Sequence, residues 1–107
     1  MNNMKNKQQI IKEILEDNKA FDIICIDISK KSDIMDMMII AGGRSTTHVK
    51  AIGKNLYNSA KQHKIEVIGV DGIQQNSDWV LVDFGDIVVH IMGRDIREYY
   101  KIEKLWG

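Results

Sequence analysis

Trp79-Val80-Leu81-Val82-Asp83-Phe84-Gly85-Asp86-Ile87-Val88-Val89-His90-Ile91-Met92 is the stretch whose reading decides the fold. Two runs rich in β-branched residues flank Gly85-Asp86, a pair suited to a two-residue hairpin turn. With that turn Phe84 pairs with Ile87, Val82 with Val89 and Val80 with Ile91. Strand side chains alternate, so these six share one face; it is wholly apolar and belongs to a core. The opposite face gathers Trp79, Leu81 and Asp83 beside Met92, His90 and Val88. Asp83 and His90 are diagonal neighbours there, about 7–8 Å apart at the backbone and within side-chain reach. Two readings of this second face stand side by side. In one, Trp79 packs under a helix and Asp83 satisfies a buried His90. In the other, the face is partly open and offers an aromatic anchor with polar orienting groups, as interface hot spots do.

Working outward, Ile10, Ile11, Ile14 and Leu15 follow helical spacing, and Asn18 suits the helix end. Phe21 to Ile28 is apolar on both sides and predicts a strand buried on two faces. The polar run Ser29 to Asp33 makes a connection, and Met35 to Ala41 predicts a second strand ended by Gly42-Gly43. Ser45 is a good N-cap for a long helix carrying Val49, Ile52, Leu56 and Ala60 on one side. Its other side holds Lys50, Lys54, Asn58 and Lys61. A third strand is expected from about Glu66 to Val70, followed by an Asp71-Gly72 turn, and a charged helix from Arg94 to Leu105 closes the chain. The order α-β-β-α-β-β-β-α predicts a mixed α/β (α+β) fold, a single mixed β-sheet of about five strands flanked by helices.

The 107 residues, 44% of them hydrophobic, suit one domain spanning 1–107 with a single core. Fifteen basic residues balance fifteen acidic ones, so net charge draws the chain to neither nucleic acid nor an anionic membrane. Any nucleic-acid contact needs a local patch. Cys25 is the only cysteine and lies in an apolar run, which fits a buried thiol in a reducing compartment. Met1 to Gln9 is polar and lacks the apolar core of a signal peptide, and no apolar run approaches the roughly 20 residues of a membrane span. The expected location is cytoplasmic.

Several segments imitate chemistry without completing it. Gly42-Gly43-Arg44-Ser45 before a helix could cradle a phosphate. Nucleotidyltransferases follow such a turn with paired carboxylates, yet Ser45 to Lys64 contains no acidic residue, and capping by Gly43 and Ser45 is the simpler role. Asp83-Phe84-Gly85 spells a kinase metal-binding tripeptide in a chain too short for a kinase. His48, His63 and His90 lack metal-ligand spacing, and Ser45, His90 and Asp83 come without a nucleophile elbow. No catalytic residue, cofactor site or metal site is expected. The basic stripe of Arg44, Lys50, Lys54 and Lys61 is either a solvated helix face or a surface that approaches RNA phosphates.

Several runs resemble the RsfS/Iojap family. They are Asp36-Met37-Met38-Ile39-Ile40-Ala41-Gly42 followed by Ser45 and His48-Val49, then Val70-Asp71-Gly72. Next come Asp78 to His90, Arg97-Glu98-Tyr99-Tyr100 and Glu103-Lys104-Leu105-Trp106. Ile102 and Asp71 depart conservatively from the family's leucine and glutamate. The resemblance implies a nucleotidyltransferase-like fold without that chemistry. It also implies a silencing factor that binds the large ribosomal subunit through ribosomal protein fourteen at the inter-subunit face. Such a factor blocks joining of the small subunit and represses translation when nutrients are scarce. By the same resemblance, partner contacts fall to Trp79, Asp83, His90, Tyr100, Glu103, Leu105 and Trp106. Ribosomal RNA phosphates near the lysine stripe and a homodimer of the free protein are further expected partners.

Overall fold

The computed structural model describes residues 3–33, 35–73 and 78–100, with side chains between 6 and 97. Its elements are α1 (Asn3–Asp17), β1 (Phe21–Asp27), β2 (Met37–Gly43), α2 (Thr46–Gln62), β3 (Gly69–Asp71), β4 (Trp79–Asp83), β5 (Ile87–Gly93) and α3 (Arg94–Tyr100). The five strands form one sheet in the order β1-β2-β5-β4-β3. The central β2–β5 pairing is parallel and the others are antiparallel, so the sheet is mixed, as expected.

The hairpin adopts the expected register: Val80 faces Ile91, Val82 faces Val89, and the Phe84 amide donates to the Ile87 carbonyl at 2.8 Å. Gly85 takes a φ of +93°, a conformation that side chains disfavour. The wholly apolar hairpin face joins Met37, Ile39 and Ala41 of β2 in the main core. Helices α1 and α2 close that core with Ile11, Ile14 and Leu15 from one and Val49, Ile52, Leu56 and Ala60 from the other.

Helix ends follow local chemistry. Asn18 ends α1 by donating its side-chain amide to the Ile14 carbonyl (2.8 Å), and Lys19 follows with φ 64°. Ser45 caps α2, its Oγ accepting from the His48 amide at 3.1 Å. His48 then ties the helices together. Its Nδ1 accepts from the Arg44 amide (2.9 Å) and its Nε2 donates to the Asn18 carbonyl (2.8 Å).

Three expectations need correction. β1 is an edge strand and only half-buried, because no strand among the described residues lies beyond it; Cys25 is accordingly half-buried against the core. Asp22, at φ 51°, sits in a register shift between Phe21 and Ile24 that bends this edge. β3 is shorter and later than expected. Ile65 is still bonded back to the Ala60 carbonyl, and the Ile68 amide makes the first bond to β4, at the Asp83 carbonyl. Gly43 is not a cap: it ends β2, where a Cβ would lie 2.8 Å from Val49 Cγ2. No helix among the described residues is long and apolar enough to cross a membrane.

Candidate functional site

The side chains that point away from α1 and α2 form three rows across the second face of the sheet. One row runs Ile26, Met38, Val88, Asp83, Gly69; the next runs Ile24, Ile40, His90, Leu81, Asp71. The third runs Phe21, Gly42, Met92, Trp79. On the β1–β2–β5 side this face is closed. Ile28, Met38, Ile40 and Met92 are buried there, with Ile26, Met35, Trp79 and Ile96 packed around them.

Besides Ile96, Arg94 and Arg97 seat α3 over that closed part. The Arg94 guanidinium stands 5.4 Å from the Phe21 ring centre, and Arg97 donates from Nη2 to the Asp22 carbonyl at 3.2 Å. Phe21 in turn lies flat on Gly42, where a Cβ would come within 2.4 Å of the ring. Gly42 is therefore required for packing an aromatic residue, which accounts for it without a bound phosphate.

Toward β4 and β3 the face opens. Trp79, Leu81, Asp83 and His90 are half-buried and Asp71 is exposed. A Cβ built on Gly69 would meet no atom within 4 Å. An indole, a leucine, an imidazole and two carboxylates thus stand together on a rigid sheet, with solvent on one side.

Within this group the polar pairing differs from the expected one. Trp79 Nε1 donates to His90 Nδ1 at 3.1 Å, and the two rings meet edge-on with centroids 5.9 Å apart. Asp83 does not hold His90; its Oδ1 accepts from the Gly85 amide at 2.8 Å. The register explains the choice. His90 lies opposite Leu81, so Trp79 and Asp83 are its two diagonal neighbours, which sheet twist makes unequal. Asp83 also has a nearer donor in its own turn. An indole N–H can only donate, so Nδ1 is an acceptor and the neutral ring carries its proton on Nε2. Burial holds the imidazole below its ordinary value of 6.5, favouring that neutral form.

Of the seven site residues expected from sequence, the structure brings Trp79, Asp83 and His90 onto this one surface. Tyr100 is the last residue of α3, its side chain outside the described set, and Glu103, Leu105 and Trp106 lie outside the described residues. Asp71 was missed: its place on the Leu81–His90 row depends on the β3–β4 register, which no local pattern reveals. At the start of α2, Thr46 Oγ1 donates to the Asp78 carboxylate, putting an acidic group where a phosphate would have to sit. Among the described residues no three His, Cys, Asp or Glu side chains gather in a metal-binding group.

Comparison with known proteins gives a consistent picture. The family described as "Ribosomal silencing factor during starvation" matches residues 1–107. The ribosomal silencing factor RsfS of Chromobacterium violaceum is 43% identical over 95 residues, covering 89% of this chain and 77% of that protein. A crystal structure of a protein from the same organism superposes with a TM-score of 0.90 at 40% identity, covering 96% of this chain and 85% of the other. A mouse protein named "Mitochondrial assembly of ribosomal large subunit protein 1" is 33% identical over 96 residues, covering 87% of this chain and 42% of its own length.

Proposed function

Because the chain belongs to the family of ribosomal silencing factors, we propose that it docks on the large ribosomal subunit through the open part of its second sheet face. The observation that carries this reading is the cluster of Trp79, Leu81, Asp83 and His90 on one half-exposed surface. Interfaces are built this way: aromatic and apolar groups supply buried area, while flanking polar groups set orientation. Asp71 and Asp83 suit a basic ribosomal protein, and ribosomal protein fourteen at the inter-subunit face is the proposed contact. Tyr100, Glu103, Leu105 and Trp106 extend the surface in this reading.

The proposed mechanism is steric and needs no catalysis. A folded domain fixed on the inter-subunit face occupies space that the small subunit requires, so whole ribosomes do not form and translation falls when nutrients are limiting. The factor acts in the cytoplasm, and the same half-apolar face supports a homodimer in the free protein, one that parts before docking. Asp78 at the start of α2 weighs against a nucleotide in the turn that precedes that helix.

Sedimentation with purified subunits tests the reading. The expected result is co-migration with the large subunit and fewer whole ribosomes as the factor is added. If the factor stays at the top of the gradient and ribosomes assemble normally, the proposal is wrong. Light scattering of the factor alone and with its partner checks the dimer.

A further inference from the structure

We infer that the flank of α2 carrying Lys50, Lys54 and Lys61 binds the phosphodiester backbone of RNA. Although the chain is neutral overall, its charge is divided by region. From Arg44 to Ile65 there are five lysines and arginines and no acidic residue, leaving ten basic against fifteen acidic residues elsewhere. Helix geometry concentrates the charge further. With Val49, Ile52, Leu56 and Ala60 turned to the core, Lys50, Lys54 and Lys61 fall within about 40° of arc on one flank, spaced about 6 and 10.5 Å along the axis.

These cations are free to act. Among the described residues the one ion pair is Lys7 with Asp86, at 2.6 Å. Lys54 and Lys61 are exposed and Lys50 is half-buried. Lys61 Nζ stands 4.6 Å from the Tyr57 ring centre, which positions it without neutralising it. A row of unpaired cations on a rigid helix, beside the neutral donors Thr47 and Asn58, is what contacts a nucleic-acid backbone.

The surroundings select among polyanions. Below the lysines, Lys54, Tyr57 and Asn58 form one wall of an open groove of about 540 Å³, with residues 67–73 as the other. Asp71, exposed, lines that second wall, and it would repel an acidic peptide laid on the β3 edge. RNA phosphates need only the outer flank. A membrane would need an apolar stripe beside the lysines, and α2 turns its apolar residues to the core. Resting on the docking reading above, the lysine flank and the open sheet face meet at the β3 edge, so the RNA would lie next to the protein contact.

Fluorescence anisotropy of a short RNA duplex with the full chain tests this directly. Wild type is expected to bind at about 50 mM salt with a dissociation constant between about 1 and 100 µM, the logarithm of affinity falling with a slope of about −2 to −3 against that of salt. K50Q/K54Q/K61Q, checked for its fold by circular dichroism, should lose at least tenfold in affinity and most of that slope. Failure of wild type to bind the duplex, or equal binding by the variant, overturns the inference, as does binding of polyglutamate in place of RNA. Large subunits separate this result from the docking proposal. If wild type binds the duplex but not the subunit, docking is wrong and the RNA surface stands. If both proteins bind subunits and duplex equally, only the RNA surface falls.

Discussion

The two faces of one sheet are built in opposite ways. On the first, Val80, Val82, Ile87, Val89 and Ile91 are sealed beneath α1 and α2. On the second, the same two strands present Trp79, Leu81, Asp83 and His90 half in solvent. Every change of side follows from a step of one residue along the chain. A surface for recognition can thus be held rigid by a core it shares no side chain with, and loss of stability and loss of binding become separable.

The largest effect that would sharpen this contrast lies on the sealed side. Leu56→Ala opens a cavity beneath a fully buried position and should cost about 2–5 kcal/mol of stability, measured by urea unfolding. Subunit affinity, read where that variant remains folded, should change little; a parallel loss of both would break the separation. Next in size, Trp79→Ala should weaken docking on the large subunit by about 2 kcal/mol or more. An unchanged affinity in a variant still folded by circular dichroism would remove Trp79 from the surface.

The smallest effect is one of pH. The unfolded chain protonates this histidine near 6.5, whereas the folded ring, partly desolvated and accepting from Trp79, resists until lower pH. Stability from this residue is therefore complete above 6.5 and declines as pH falls through the window down to the folded value. His90→Gln, which can still accept from the indole, should flatten that part of the acid slope. A nuclear magnetic resonance titration of His90 giving a value at or above 6.5 would count against the desolvated pair.

Much of this contrast was legible in the chain itself. The hairpin register, the apolar character of one face and the Ser45 cap depend on residues close in sequence, where alternation and capping rules apply directly. The remainder was not local. That Asp71 joins the Leu81–His90 row, that Phe21 lies on Gly42 and that Arg97 reaches the Asp22 carbonyl all depend on strands and helices far apart in the chain. The Trp79–His90 bond shows a finer limit. Sequence named Asp83 as the diagonal neighbour of His90 and put Trp79 on the same face, but only the twisted sheet decided which of them bonds to the ring.

The parallel seam between β2 and β5 has a consequence for when the recognition surface comes into being. The pairs β1–β2 and β4–β5 are neighbours in the chain, whereas Ile40 meets His90 across fifty positions of sequence. Among the strand pairings, joining such distant segments carries the largest loop-closure cost, so two locally formed hairpins should meet late along the folding route. Lower φ-values for Ile39→Val, which also packs across the seam, than for Val82→Ala within the β4–β5 hairpin would bear this out, and the reverse pattern would refute it. Because rows of the second face cross that seam, a nascent or partly folded chain holds only fragments of the surface. If that surface docks as proposed, competence to bind should arrive with the last step of folding, and an unfinished copy should stay silent.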